Sequence, residues 1–181
     1  MPNELATSRL PKVPIERRCA AYAIDFVAVW LISLPFSGNT PGLVPIAQIV
    51  VFIVAWLGLR VLLRAKNKGQ SLGRWAMDMK VLDPKFRKTP GLFELTKREG
   101  ILGLASLLAM IGLSIGVTNG LSLLLLVTPL AVDFGVAVAD AEWQQAFHDR
   151  VARTCIVQTR RGFSLDIRLK KIFAKVTNRM K

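Results

Sequence analysis

Two long stretches of this sequence, Cys19 to Leu59 and Glu99 to Asp149, contain no lysine or arginine. In a chain with 25 Lys and Arg against 12 Asp and Glu, such gaps exclude a surface evenly decorated with base. A nucleic-acid-binding domain interleaves its cations with its core pattern, so nucleic acid is not an expected partner. Histidine occurs once, at His148, and cysteine twice, at Cys19 and Cys155. That leaves neither metal-ligand spacing nor a disulfide framework, and both cysteines read as unpaired small hydrophobes. Glycine-rich phosphate loops and haem or flavin signatures are also missing, so no cofactor is expected.

What is abundant is apolar. Hydrophobic residues make up 52% of the 181 positions, and the mean hydropathy is +0.40, more than a soluble domain of this size needs. The cations fall in three blocks, Met1–Arg18, Arg60–Arg98 and Arg150–Lys181. Between them lie four runs close to the roughly 17–25 residues that a spanning helix requires. They are Cys19–Phe36, interrupted by Asp25; Leu43–Leu63, holding Gln48, with Arg60 expected to snorkel; Gly100–Val117; and Leu121–Ala139, holding Pro129 and Asp133. No small-residue cleavage site follows the first run, so it is expected to stay as a span.

Short links, Ser37–Gly42 and Thr118–Gly120, join the runs into two hairpins whose tips carry no charge. Lys and Arg near short loops stay on the cytoplasmic side. The tips therefore face out, while the N-terminal segment 1–18, the loop 64–99 and the tail 158–181 face in. The expected fold is an all-α integral membrane protein with four transmembrane helices in two hairpins around a membrane domain, 19–157. Two short apolar runs in the loop, Trp75–Met79 and Leu92–Leu95, read as interfacial helices on anionic headgroups.

Gly112 and Gly116 form a GxxxG in the third run, a spacing that lets helix backbones approach closely in lipid. It suits packing inside the bundle, docking on a partner's helix, or a homodimer through the third span. In the tail, Leu165, Leu169, Ile172, Phe173, Val176 and Met180 repeat on one helical face, with Ser164 placed to cap it. Arg168, Lys170, Lys171, Lys175 and Arg179 cover much of the rest, which describes a basic amphipathic helix for an anionic membrane surface or a protein partner.

The stretch Arg18-Cys-Ala-Ala-Tyr-Ala-Ile-Asp25, the loop Gly69-Gln-Ser-Leu-Gly73 with Val81-Leu-Asp83, and Phe147-His-Asp-Arg150 followed by Thr154 resemble the RDD family over about Arg17 to Val157. The resemblance implies a small bacterial membrane protein. It matches Arg18 to the family's arginine and Asp25 and Asp149 to its two aspartates. Some members have been proposed as sodium/proton antiporters. The loop and tail are similar in style to cyanobacterial sequences, which implies a photosynthetic complex as client and the bacterial inner membrane or thylakoid as location.

Arg18 and Asp25 lie two helical turns apart and share a face. An ionisable residue inside a span faces a partner or a water-filled cavity. The guanidinium of Arg18 or Arg150 is within reach of Asp25, which is then expected to pin the first helix against the segment of His148, Asp149 and Arg150. Asp25, Asp133 and Asp140 are the candidates for a proton or cation site, Asp133 following the helix-breaking Pro129 by one turn. Gly69-Gln-Ser71-Leu-Gly73 also fits the GxSxG of a hydrolase, but no strand precedes it, so no enzyme is expected. The sequence thus points to a non-catalytic protein that binds another membrane protein or complex and assists its assembly or stability. The alternative is a cation/proton transporter of the Na+/H+ antiporter type.

Overall fold

The computed structural model describes residues 13–38, 43–67, 69–115, 119–140, 144–159 and 164–165. Four helices in it are long and apolar enough to cross a membrane, Ile15–Phe36, Ile46–Lys66, Leu92–Ile115 and Gly120–Ala139. At about 1.5 Å per residue each reaches the roughly 30 Å of a hydrocarbon core. The first span is α1 (Ile15–Ser33) closed by a 3-10 turn, Leu34–Phe36, in which Pro35 ends the helical hydrogen bonding. The second joins α2 (Ile46–Leu57) to α3 (Leu63–Lys66) through a π-turn, Gly58–Leu62. After the short helix α4 (Leu72–Ala76) and strand β1 (Met79–Leu82) come the third and fourth spans, α5 (Leu92–Ile115) and α6 (Gly120–Ala139). Helix α7 (Phe147–Val151) and strand β2 (Cys155–Gln158) follow.

The bundle core is aromatic and aliphatic. Val29, Phe52, Trp56, Leu102 and Met110 are buried together, with Tyr22, Phe26 and Phe134 packed on them. In lipid this packing works through close contact and interhelical hydrogen bonds rather than water exclusion, and Tyr22 and Ser106 supply one such bond at 2.8 Å. Outward-facing Leu, Ile and Val on all four spans stay exposed, as a lipid-facing surface requires. Asn119 caps α6, its side chain accepting from the Ser122 amide at 3.4 Å.

A second small core covers the charged end of the bundle. β1 and β2 pair antiparallel, with Met79 opposite Gln158 and Leu82 opposite Cys155. Met77, Met79 and Ile156 pack from there onto Val13 and Ala21. The expected interfacial helices of the loop are corrected at this point. Trp75–Met79 divides between α4 and a strand, and Leu92–Leu95 forms the first turn of the third span, which begins eight residues before the expected Gly100. Pro90-Gly91 breaks the chain just ahead of that helix, and the charges of Arg98 and Glu99, which make the stretch read as loop, are neutralised inside the protein. The tail residues Arg168, Lys170, Lys171, Phe173, Lys175 and Arg179, and Gly116, lie outside the described residues.

Candidate functional site

Asp25 is buried on α1 and takes its partners from elements that follow it in the chain. Its Oδ1 accepts from the Gly73 amide at 2.8 Å and its Oδ2 from the Ser71 hydroxyl at 2.6 Å. Arg60 adds an ion pair at 3.2 Å. The glycines of the loop explain this docking. A Cβ on Gly73 would collide with the carbonyl of Ala21, so only glycine lets α4 lie against the α1 backbone. Gly69 has φ +86°, and a Cβ there would stand 2.6 Å from the Val81 carbonyl. Ser71 is buried and committed to Asp25, on a segment preceded by helix, which is not how a nucleophile elbow presents its serine.

Arg60 does not snorkel. It is 1% exposed, held with its guanidinium 4.5 Å from the Trp56 ring centre and 5.7 Å from that of Tyr22. The π-turn adds a residue to one helical turn there, a distortion that often marks functional positions. Arg60 Nε donates to Glu99 at 2.7 Å, Arg98 Nη1 donates to the same carboxylate at 2.8 Å, and Arg64 completes the set. Three arginines around one fully buried acid satisfy the rule that a buried charge is paired or not tolerated.

From Glu99 the network continues through Arg98, whose Nε donates to Asp149 Oδ1 at 2.7 Å and whose Nη2 lies 2.9 Å from His148 Nε2. Guanidinium nitrogens only donate, so His148 Nε2 accepts and its proton sits on Nδ1. That proton is donated to Asp133 Oδ2 at 2.6 Å, while Asp133 Oδ1 accepts from the His148 amide at 3.0 Å. One continuous network therefore runs from Asp25 through Arg60, Glu99 and Arg98 to Asp149, His148 and Asp133, and ties all four spans to α4 and α7. Asp149 is the end of it outside the spans. Burial would raise its carboxyl, but Arg98, His148 and Arg74 together outweigh burial and hold it well below the ordinary carboxylate range. Burial pushes the Cys155 thiol up to about 11, with Asp149 adding to the rise, so it packs as a neutral side chain.

A partly open cavity of about 20 Å³ lies beside this network, lined by Arg18, Asp25, Arg60, Arg74, His148 and Asp149 among others. Arg74, on α4, is buried with its Nη1 unpartnered. Burial and then the nearby charges of Arg64 and Arg98 lower its pKa well below the ordinary arginine value.

The model of the RDD family matches residues 12–153. The chain belongs to the RDD family. With four apolar spanning helices, it is an integral membrane protein. No curated protein and no solved structure matches it significantly. The RDD-motif residues enter one site, but not with the expected pairing. Arg18 reaches neither Asp25 nor any other carboxylate among the described residues. Its guanidinium donates to the carbonyls of Gln144 and, at 3.5 Å, Ile156, which does fasten α1 to the segment around α7. Arg150 is half exposed and pairs with Asp140 at 3.0 Å, away from Asp25. Arg60 holds Asp25 instead. Gly112 packs inside the bundle, its bare face meeting Leu126 and Leu123 of α6 in the same chain.

Arg60, Arg64, Arg74, Arg98 and Glu99 of this RDD protein are the residues sequence reasoning misses. The signal that exposes the first two is their spacing of four, which puts both on one helical face. For Arg98 and Glu99 it is an adjacent opposite pair at the head of an apolar run.

Proposed function

We propose that this RDD-family protein is a non-catalytic membrane protein that binds a larger membrane protein complex and assists its assembly or stability, with its charged end cytoplasmic. The observation that carries this reading is the closed state of the network. Asp25, Glu99 and Asp133 are each held by donors from another element, which suits a scaffold that must keep one shape. A carrier of cations or protons needs a carboxylate free to exchange partners, and transport of the antiporter type is the weaker reading for that reason. The fourth span offers a surface for a partner. Only Asp133 and Ala137 of α6 are buried, and Leu121, Leu124, Leu125, Val132 and Val138 are exposed along it.

The test is affinity purification of the protein in mild detergent from its native membrane, full-length and lacking Ser164–Lys181. A membrane complex should co-purify with the full chain and be weakened by the deletion, while the truncated protein stays in the membrane. Asp25→Asn should lower the amount of complex. Sodium- or pH-dependent transport by purified protein in liposomes, abolished by Asp25→Asn or Asp133→Asn, would replace this reading with the antiporter.

A further inference from the structure

The third span carries one face that the bundle covers only in part. Phe93, Lys97, Gly100, Leu104 and Leu107 follow one another along α5 at the three- and four-residue steps that align side chains on a helix. The apolar part of this face is a groove of about 200 Å³, open to one side and walled by Ile53, Trp56 and Leu57 of the second span and Gly100, Leu104 and Leu107 of the third, among others. Trp56 can lie against α5 because Gly103 has no side chain, and a Cβ there would stand 2.6 Å from the Trp56 Nε1. At Gly100 nothing lies within 4 Å of an added Cβ, so the groove is open there. Toward the start of α5 the same face passes into a wider open cavity of about 700 Å³, lined by Phe93 and Lys97 and by Lys85, Phe86 and Arg153. Phe93 and Phe86 are 77% and 64% exposed. Among the described residues no ion pair holds the side chains of Lys85, Lys97 or Arg153.

We propose that this face binds one anionic phospholipid, with an acyl chain in the groove and its headgroup among Lys85, Lys97 and Arg153. A groove walled by apolar side chains within the spans offers water no partners, so hydrocarbon fills it. Its length selects a lipid. From Lys97 to Leu107 the helix rises about 15 Å, half of a hydrocarbon core of roughly 30 Å and so the depth of one leaflet. A partner's helix would need a groove that crosses both leaflets. The order of chemistry along the face, cations and exposed aromatic rings first and apolar wall after, is that of a lipid from head to tail. Two acids oppose this, since Asp83 and Glu94 also line the wider cavity. Asp83 Oδ1 is engaged by the amides of Lys85 and Phe86 at 2.7 and 3.3 Å, and Glu94 folds back over Gly91 in the first turn of α5. Three cations still outnumber them in the lining, and Arg87 and Lys88, exposed in the same loop, add two more.

The experiment titrates the full chain in an uncharged detergent with phosphatidylglycerol or with phosphatidylcholine of the same acyl chains, and counts bound lipid by native mass spectrometry. One phosphatidylglycerol per chain is expected, held about tenfold more tightly than phosphatidylcholine, as a net charge beside several cations requires. Lys85→Gln, Lys97→Gln and Arg153→Gln together should bring phosphatidylglycerol down to the level of phosphatidylcholine. Gly100→Leu fills the groove without touching a charge and should weaken both lipids. The two variants act on opposite ends of the site, so the outcome stands even where one of them does not fold. Glycerol phosphate, a headgroup without chains, should not displace the lipid. Equal retention of the two lipids by the natural sequence overturns the proposal, and displacement by glycerol phosphate overturns the role of the groove. Retention of phosphatidylglycerol unchanged in either folded variant overturns the assignment to this face.

Discussion

Glu99 holds more of this protein together than any aspartate of its family motif. Its carboxylate binds Arg60, Arg64 and Arg98 at once, all four side chains being at most 1% exposed. Removing one partner of a buried pair strands the other charge, at about 3–5 kcal/mol. Glu99→Gln strands parts of three, so unfolding in mild detergent should show a loss at or above that range and larger than that of Arg150→Gln at the exposed pair. Asp149 predicts a pH effect. Its folded-state pKa lies below its ordinary value of 3.8, so its stabilisation is fully present above pH 3.8 and is lost as pH falls through the folded value. A Tm profile should therefore fall on the acid side below about pH 4, and Asp149→Asn should lower the plateau and flatten that limb. At this scale the sequence was only partly legible. Asp25 and Asp133 stand out because an acid in an apolar run is conspicuous. Arg60 and Glu99 hide at the edges of their runs, where a charge reads as a boundary.

Among the elements, α4 is short and tightly constrained. Its five residues carry no apolar periodicity, yet it delivers Ser71 and Gly73 to Asp25 and Arg74 to the cavity. Gly73→Ala would drive a methyl group into the Ala21 carbonyl. Overpacking against rigid backbone should cost about 3 kcal/mol or more, seen as reduced abundance and a lowered Tm, whereas Gly100→Ala, with nothing within 4 Å of the added methyl, should leave both unchanged. The two strands were illegible for a different reason. Each has four residues, too few for a period to show, and their pairing joins Met79 to Gln158 across most of the membrane domain. The long spans could be read because helix length and hydropathy are local properties.

At the scale of the whole molecule, the four-span architecture follows from where cations are missing, and the extra turns of the third span follow from long-range charge pairing that no window of sequence contains. Reporter fusions at Asn39, Lys85 and Lys181 should give an outside signal for the first and inside signals for the other two. An outside signal at Lys85 would break the proposed orientation. The β1–β2 pair also gives the molecule a direction in time. Synthesis runs from the N-terminus at about 5–20 residues per second, so Asp25, Arg60 and Arg64 are made before Glu99, and β1 waits for a strand made after the last span. Pairing of Met79–Leu82 with Cys155–Gln158 is therefore a mark that only a chain translated past Gln158 can make. Chains ending at Arg153 should insert all four helices yet be cut by protease in the region of Met79–Leu82, where the finished protein resists. A cell that surveys its membranes with proteases would thereby clear unfinished copies and spare finished ones.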